Sequence, residues 1–161
     1  MEKKSIVSEI TIYEDPGELS RQEQELLNRA GLAREDAYAP YSNFKVGAAI
    51  LLENDEVVIG SNQENASFPS GLCAERVAIF HAGASHPGLT IKSIAIVAAP
   101  ENSTDGKPAA PCGSCRQSIY EYENKQEKPI EILMMGSDGR VFKCKSIASL
   151  LPLAFNNDFL G

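Results

Sequence analysis

A chain of 161 residues with 43% hydrophobic and 23% charged side chains is long enough to bury a core as one compact domain, and its composition excludes disordered, collagen-like and coiled-coil classes. Its 15 basic and 22 acidic residues give a net charge of -7 with no basic cluster, which excludes a phosphate-neutralising face and favours a small ligand over nucleic acid. No apolar stretch approaches the roughly 18 residues of a membrane-spanning helix, and the N-terminus has neither a signal core nor an Arg-rich transit pattern, so a cytoplasmic protein without membrane contacts is expected.

Residues 5 to 13, rich in β-branched side chains, are able to form a short extra strand within an N-terminal extension spanning 1 to 19, and Glu14 to Gly17 reads as a turn. The remainder, 20 to 161, reads as a single domain. Ser20 and Glu23 have capping-box spacing, which predicts a helix from there to about Tyr38, before Pro40, with Leu26, Leu27, Ala30 and Ala33 on its buried stripe. Lys45 to Leu52 and Val57 to Asn62 read as a hairpin around Glu53-Asn54-Asp55-Glu56.

A second helix is predicted from Cys73 to before Pro87, with Val77, Ile79, Phe80 and Ala84 available for packing. Ile91 to Ala98 reads as a buried strand, and a Pro-containing loop from Ala99 to Pro111 leads to a third helix that starts near Cys112 and ends before Pro129. Ile130 to Met135 and Arg140 to Lys145 read as strands around Gly136-Ser137-Asp138-Gly139, and Ser146 to Leu151 as a short last helix. This order predicts a mixed sheet with helices on both faces, an α/β domain. Helices two and three each follow a strand, so their N-termini should emerge at one edge of the sheet, where ligand sites gather.

Both of those helices open on cysteine. Cys73-Ala74-Glu75 and Pro111-Cys112-Gly113-Ser114-Cys115 form a split three-thiolate set beside one carboxylate. The gap between Cys112 and Cys115 lets one turn of backbone present two sulfurs to a tetrahedral metal, and Cys73 supplies a third. Three protein ligands, unlike a closed set of four, leave a corner for water, which points to catalysis. Buried thiols or a redox pair are the competing reading of the same cysteines. Cys144, in a predicted strand without a partner motif, reads as a small buried hydrophobe, and His81 and His86 as structural or solvent-facing.

From about Tyr38 almost to the C-terminus the chain resembles the small, free-nucleoside cytidine deaminases. The resemblance is carried by Ala39-Pro40-Tyr41-Ser42-Asn43-Phe44-Lys45-Val46-Gly47-Ala48, Asn62-Gln63-Glu64-Asn65-Ala66, Cys73-Ala74-Glu75-Arg76, Pro111-Cys112-Gly113-Ser114-Cys115-Arg116-Gln117 and Leu150-Leu151-Pro152 with Phe155. It implies a three-layer α/β/α fold with a mixed five-stranded sheet, and hydrolytic deamination of cytidine and 2′-deoxycytidine with one Zn²⁺ per subunit. Cys73, Cys112 and Cys115 would hold the zinc, while Glu75 would deprotonate the water, protonate N3 and pass a proton to the departing amine. Ala74 would offer backbone contacts to the base, Asn62 and Glu64 would bind the ribose 3′-hydroxyl, and Phe44 would pack on base and sugar.

The resemblance further implies that Arg76 hydrogen-bonds the ligand sulfurs, offsetting the negative charge of three thiolates on one Zn²⁺. It also implies a homotetramer in which Phe155 reaches a neighbour's active site. Without the motif, Glu75 reads as a helix-dipole partner, Arg76 as an exposed salt-bridge residue, Phe44 as core and Phe155 as a C-terminal core anchor. Ser61, Lys45, Ser67-Phe68 and Asn156-Asn157-Asp158-Phe159 depart from the commoner family pattern. Two other functions fit the zinc motif: a deaminase of a cytosine-nucleoside antibiotic of the blasticidin type, and a catalytically silent zinc-stabilised binding module.

Overall fold

The computed structural model describes residues 1–100 and 106–160. Helix α1 (Arg21–Glu35) begins at Ser20, whose hydroxyl accepts from the Glu23 amide while the Glu23 carboxylate accepts from the Ser20 amide at 2.8 Å, the reciprocal cap that their spacing predicts. Leu26, Leu27, Ala30 and Ala33 form its buried stripe. The helix stops at Glu35, short of the expected end near Tyr38, because the Tyr38 amide is engaged elsewhere, donating to the Asn62 carbonyl at 3.0 Å.

A first strand, β1 (Thr11–Tyr13), precedes α1; after it come the hairpin β2 (Phe44–Leu52) and β3 (Val57–Ser61), α2 (Ala74–Ser85), β4 (Ile91–Pro100), α3 (Gly113–Gln126), and the hairpin β5 (Glu131–Met135) and β6 (Val141–Cys144). β4 runs to Pro100, so part of the segment expected as loop from Ala99 is strand; residues 101–105 of that segment lie outside those described. The expected last helix is only a 3-10 turn, Ile147–Ser149, capped by the Ser146 hydroxyl, since Pro152 disfavours helical backbone at Leu151.

The sheet has the order β1-β6-β5-β4-β2-β3, with β4 and β5 parallel and the other neighbours antiparallel. It has six strands rather than the expected five because β1 pairs with β6 at the edge; of the run from 5 to 13, only Thr11–Tyr13 is strand. Alternate side chains serve opposite faces. Ala49, Leu51, Ala95, Val97 and Leu133 meet α1, whereas Ala48, Ile50, Ile94, Ile96, Ile132 and Met134 meet α2 and α3, giving the three layers.

Of the α2 side chains expected to pack, Ile79 is buried, Val77 is intermediate, and Phe80 and Ala84 are exposed; Ala74, Glu75, Ala78 and Ala82 complete the buried stripe. Close approach of backbones selects this phase. A Cβ at Gly60 of β3 would lie 2.5 Å from the Ala78 nitrogen and 2.8 Å from the Ala74 carbonyl oxygen, so the contact takes glycine on the strand and alanines four apart on the helix. β3 and β4 both run antiparallel to β2, hence parallel to each other, and the helices that follow them start at the same edge.

Gly60→Ala therefore lowers stability by about 3 kcal/mol, since backbone cannot swing aside as a side chain can. Gly31→Ala in α1, where an added Cβ meets nothing within 4 Å, raises it by about 0.5 to 1 kcal/mol. Guanidinium denaturation of the two variants checks both signs.

Candidate active site

Cys73 is the N-cap of α2 and Cys112 the N-cap of α3, both with extended backbone and neither using its side chain to cap its helix. Cys115 sits in the first turn of α3, so the parallel strands β3 and β4 bring all three sulfurs to one edge. Sγ of Cys73 and Cys112 are 3.9 Å apart, Sγ of Cys112 and Cys115 are 3.5 Å apart, and all three lie within 4.8 Å of one another. Tetrahedral zinc with Zn–S near 2.3 Å requires sulfurs roughly 3.8 Å apart, so the donor set fits that ion in both element and spacing.

Left to themselves the thiols share protons unequally. Hydrogen bonding to Cys115 comes first in lowering the Cys73 pKa to about 5, while hydrogen bonding to Cys73, with burial next, pushes Cys115 well above the usual thiol range. A divalent cation replaces that shared proton with a stronger partner. Cys112 is exposed and Cys73 half-exposed, which separates those two from ordinary core cysteines such as Cys144, buried in the core below.

Glu75, in the first turn of α2, is only 4% exposed. Burial, with a smaller contribution from the charge of Cys73, outweighs a backbone hydrogen bond that lowers it and raises its pKa above the usual carboxylate range. Arg76 follows it. Burial lowers the pKa of its guanidinium, but hydrogen bonding to Cys73 and the charge and hydrogen bond of Cys115 outweigh that and raise it. Its Nε is buried without a hydrogen-bond partner among the described residues, leaving donor capacity beside the sulfurs.

Cys73, Cys112, Glu75 and Arg76 line a cavity of about 740 Å³ whose other walls include Phe44, Asn62 and Glu64. Asn62 is buried; its Oδ1 accepts from the Val46 amide at 2.8 Å and its Nδ2 donates to the Phe44 carbonyl at 3.0 Å. One Glu64 oxygen accepts from the Tyr41 amide at 2.9 Å and the other from the Ser42 hydroxyl at 2.5 Å. The Ser42 hydroxyl bond comes first in lowering the Glu64 pKa, ahead of the Tyr41 amide. Asn62 and Glu64 thus also stitch down the turn that delivers Phe44, a function that only the folded chain reveals.

The chain is similar in sequence and fold to proteins already characterised. The sequence model of the cytidine and deoxycytidylate deaminase zinc-binding region matches residues 20–127. A cytidine deaminase of Sporosarcina psychrophila is 39% identical over 138 residues, covering 86% of this chain and 94% of that protein. One from Halalkalibacterium halodurans is 45% identical over 132 residues, 82% of this chain and 92% of that protein. The crystal structure of a Burkholderia pseudomallei cytidine deaminase superposes with a TM-score of 0.72 at 42% identity, covering 85% of this chain and all of that one. The chain belongs to the cytidine deaminase family.

Of the residues that the family motifs single out, Phe44, Asn62, Glu64, Cys73, Glu75, Arg76 and Cys112 line one cavity. Cys115 is fully buried behind its partner sulfurs, and Ala74 is fully buried at the first position of α2, where helix amides lack intrahelical acceptors. Phe155 does not line the cavity of its own chain; it is 55% exposed and stacks on Phe159 with ring centroids 5.5 Å apart. His81 is exposed, and His86 lies 3.1 Å from Glu56, both away from the sulfurs.

Cavity residues without a role in the sequence reading include Tyr41, Phe68, Leu72, Ala109 and Ala110. Their signal is three-dimensional. The chain from Gln63 to Leu72 is closed by reciprocal backbone bonds between those two residues, which sets Phe68 edge-on to Tyr41 at 6.0 Å.

The zinc-loaded protein carries one zinc per chain by elemental analysis, and Cys115→Ser carries close to none after dialysis. Zinc is released as the pH falls, because every sulfur must shed its proton to bind. Full zinc occupancy in the serine variant would contradict the ligand set.

Proposed function

We propose that this chain hydrolyses cytidine and 2′-deoxycytidine to uridine and 2′-deoxyuridine with release of ammonia, as a cytoplasmic homotetramer. The observation that carries the reading is a buried carboxylate of raised pKa, Glu75, in the same cavity as a three-sulfur zinc site. Cys73, Cys112 and Cys115 would hold a zinc ion, which would supply activation of a water as the nucleophile.

Glu75 accepts the proton that the water gives up as oxygen adds to C4 of the base, delivers it to N3, and then shuttles a proton to the amino group as the C4–N bond breaks. Water and cytidine become uridine and ammonia, with no redox change. A carboxyl whose pKa burial has raised suits this work, since it must hold a proton in mid-reaction and surrender it again. Burial also keeps bulk water from competing for that proton.

The Asn62 amide and the Glu64 carboxylate are assigned to the ribose 3′-hydroxyl. A carboxylate has about four acceptor positions, so the turn bonds to Tyr41 and Ser42 leave Glu64 able to accept from a sugar hydroxyl. Phe44 and Val46 give the base an apolar wall, and the amide at the start of α2 offers it a backbone donor. Arg76 and two helix N-termini offset the excess negative charge of the site.

Homotetramer assembly is supported by family membership and by the exposed position of Phe155 outside its own cavity, free to reach a neighbouring subunit. None of the helices is long and apolar enough to cross a membrane among the described residues.

Ammonia release from cytidine, deoxycytidine, CMP and cytosine separates the nucleosides from the nucleotide and the free base, and the proposal requires turnover of the first two. Glu75→Gln keeps zinc but loses about 10² to 10⁴ in kcat; near wild-type turnover would overturn its role. Arg76→Ala weakens zinc retention and turnover more than Arg76→Gln, which still donates hydrogen bonds. Wild-type zinc content and rate in both would remove the charge-compensation argument.

A further inference from the structure

Arg116 follows the ligand Cys115 in the first turn of α3, and its side chain turns back toward the other ligand of the pair. Nε donates to the Pro111 carbonyl at 2.7 Å and Nη1 donates to the Leu150 carbonyl at 2.8 Å. Its own amide donates to the Cys112 carbonyl at 2.9 Å. Three donors of one residue therefore grip the two peptides flanking Cys112 and a carbonyl beyond β6 that braces them.

Cys112 has a particular need of such a grip. Cys115 is fully buried, fixed by the packing of α3, whereas Cys112 is exposed, stands at the end of the long β4–α3 connection, and makes no side-chain cap bond. The residue is exposed, yet its sulfur must stand 3.5 Å from one partner and 3.9 Å from the other. Both side-chain bonds of Arg116 go to main-chain oxygens, so no partner side chain has to be recruited. A planar fork with several donors in fixed relation can span the two carbonyls; an ammonium, a point donor on a flexible stem, cannot hold both in the same geometry.

The brace is itself held. Gln117 donates from Nε2 to the Phe155 carbonyl at 2.8 Å, and Asn124 from Nδ2 to Asn157 Oδ1 at 3.2 Å, so the C-terminal segment is laid along α3 from its first turn to its last. Within this set, Arg116 alone bonds both the ligand loop and the C-terminal segment.

We infer that Arg116 is a positioning residue for zinc: it fixes the Pro111–Cys112 peptide against the Leu150 carbonyl and so holds the Cys112 sulfur in the tetrahedral set. Arg116 touches neither substrate nor metal. The inference rests on the three sulfurs being the zinc ligands, and purified wild-type protein that holds no zinc would remove that assignment first.

The test is metal release from wild type, Arg116→Ala, Arg116→Lys and Gln117→Ala, measured by competition with a chromogenic chelator, with the visible spectrum of the cobalt-substituted proteins and thermal unfolding recorded in parallel. Arg116→Ala releases zinc at least tenfold faster than wild type and alters the sulfur-to-cobalt charge-transfer bands. Arg116→Lys releases it several-fold faster, failing to rescue despite its charge. Gln117→Ala, which loses only the bond to the C-terminal segment, keeps wild-type release and spectrum whatever its melting temperature.

Wild-type release and an unchanged cobalt spectrum in Arg116→Ala, even with reduced thermal stability, would make Arg116 a structural brace and overturn the inference. Should Arg116→Ala fail to fold, Arg116→Lys decides: release and spectrum equal to wild type would overturn the inference equally.

Discussion

Everything in the site depends on three sulfurs from two helix starts meeting at the separation that one tetrahedral cation requires. That meeting is a property of the sheet before it is a property of the cysteines. β3 and β4 run in the same direction because each pairs antiparallel with β2, so the chain leaves both at one edge and begins α2 and α3 side by side. An N-cap residue has extended backbone and a side chain that need not follow the helix, which lets Cys73 and Cys112 turn their sulfurs toward each other. Glu75 comes to the same place because two residues past an N-cap is still the first turn.

Close approach is what makes the arrangement compact enough to bury a carboxylate. Gly60 and the alanines of α2 bring helix and strand backbones together, and the helix face that holds Ala74, Ala78 and Ala82 against the sheet also buries Glu75. The desolvation that raises the Glu75 pKa is thus a by-product of how α2 packs. Three thiolates around one divalent cation carry a net charge of about -1, and Arg76, whose pKa Cys73 and Cys115 raise, stands beside them as a cation.

The metal-ligand pattern was legible because its signals are local: a two-residue gap that fits one helical turn, a cysteine at each helix start, and Glu75 beside one of them. The capping box at Ser20 and the buried stripe of α1 are local in the same sense. What escaped depends on contacts between distant residues. The packing phase of α2 depends on Gly60, a residue of another element, so of the side chains expected to pack Ile79 is buried while Phe80 and Ala84 are exposed. Helix α1 stops early because Tyr38 is drawn to Asn62. The extra strand expected within residues 5 to 13 narrows to Thr11–Tyr13 because those residues meet the edge of β6, and the roles of Asn62 and Glu64 in anchoring the turn before β2 lie in hydrogen bonds that no spacing encodes.

Zinc K-edge X-ray absorption on the purified, metal-loaded protein examines the central claim most directly. It should show three sulfur scatterers near about 2.3 Å and one oxygen or nitrogen scatterer near about 2.0 Å, the signature of a three-cysteine site with one corner left for water. A shell of four sulfurs, or of fewer than three, would contradict it.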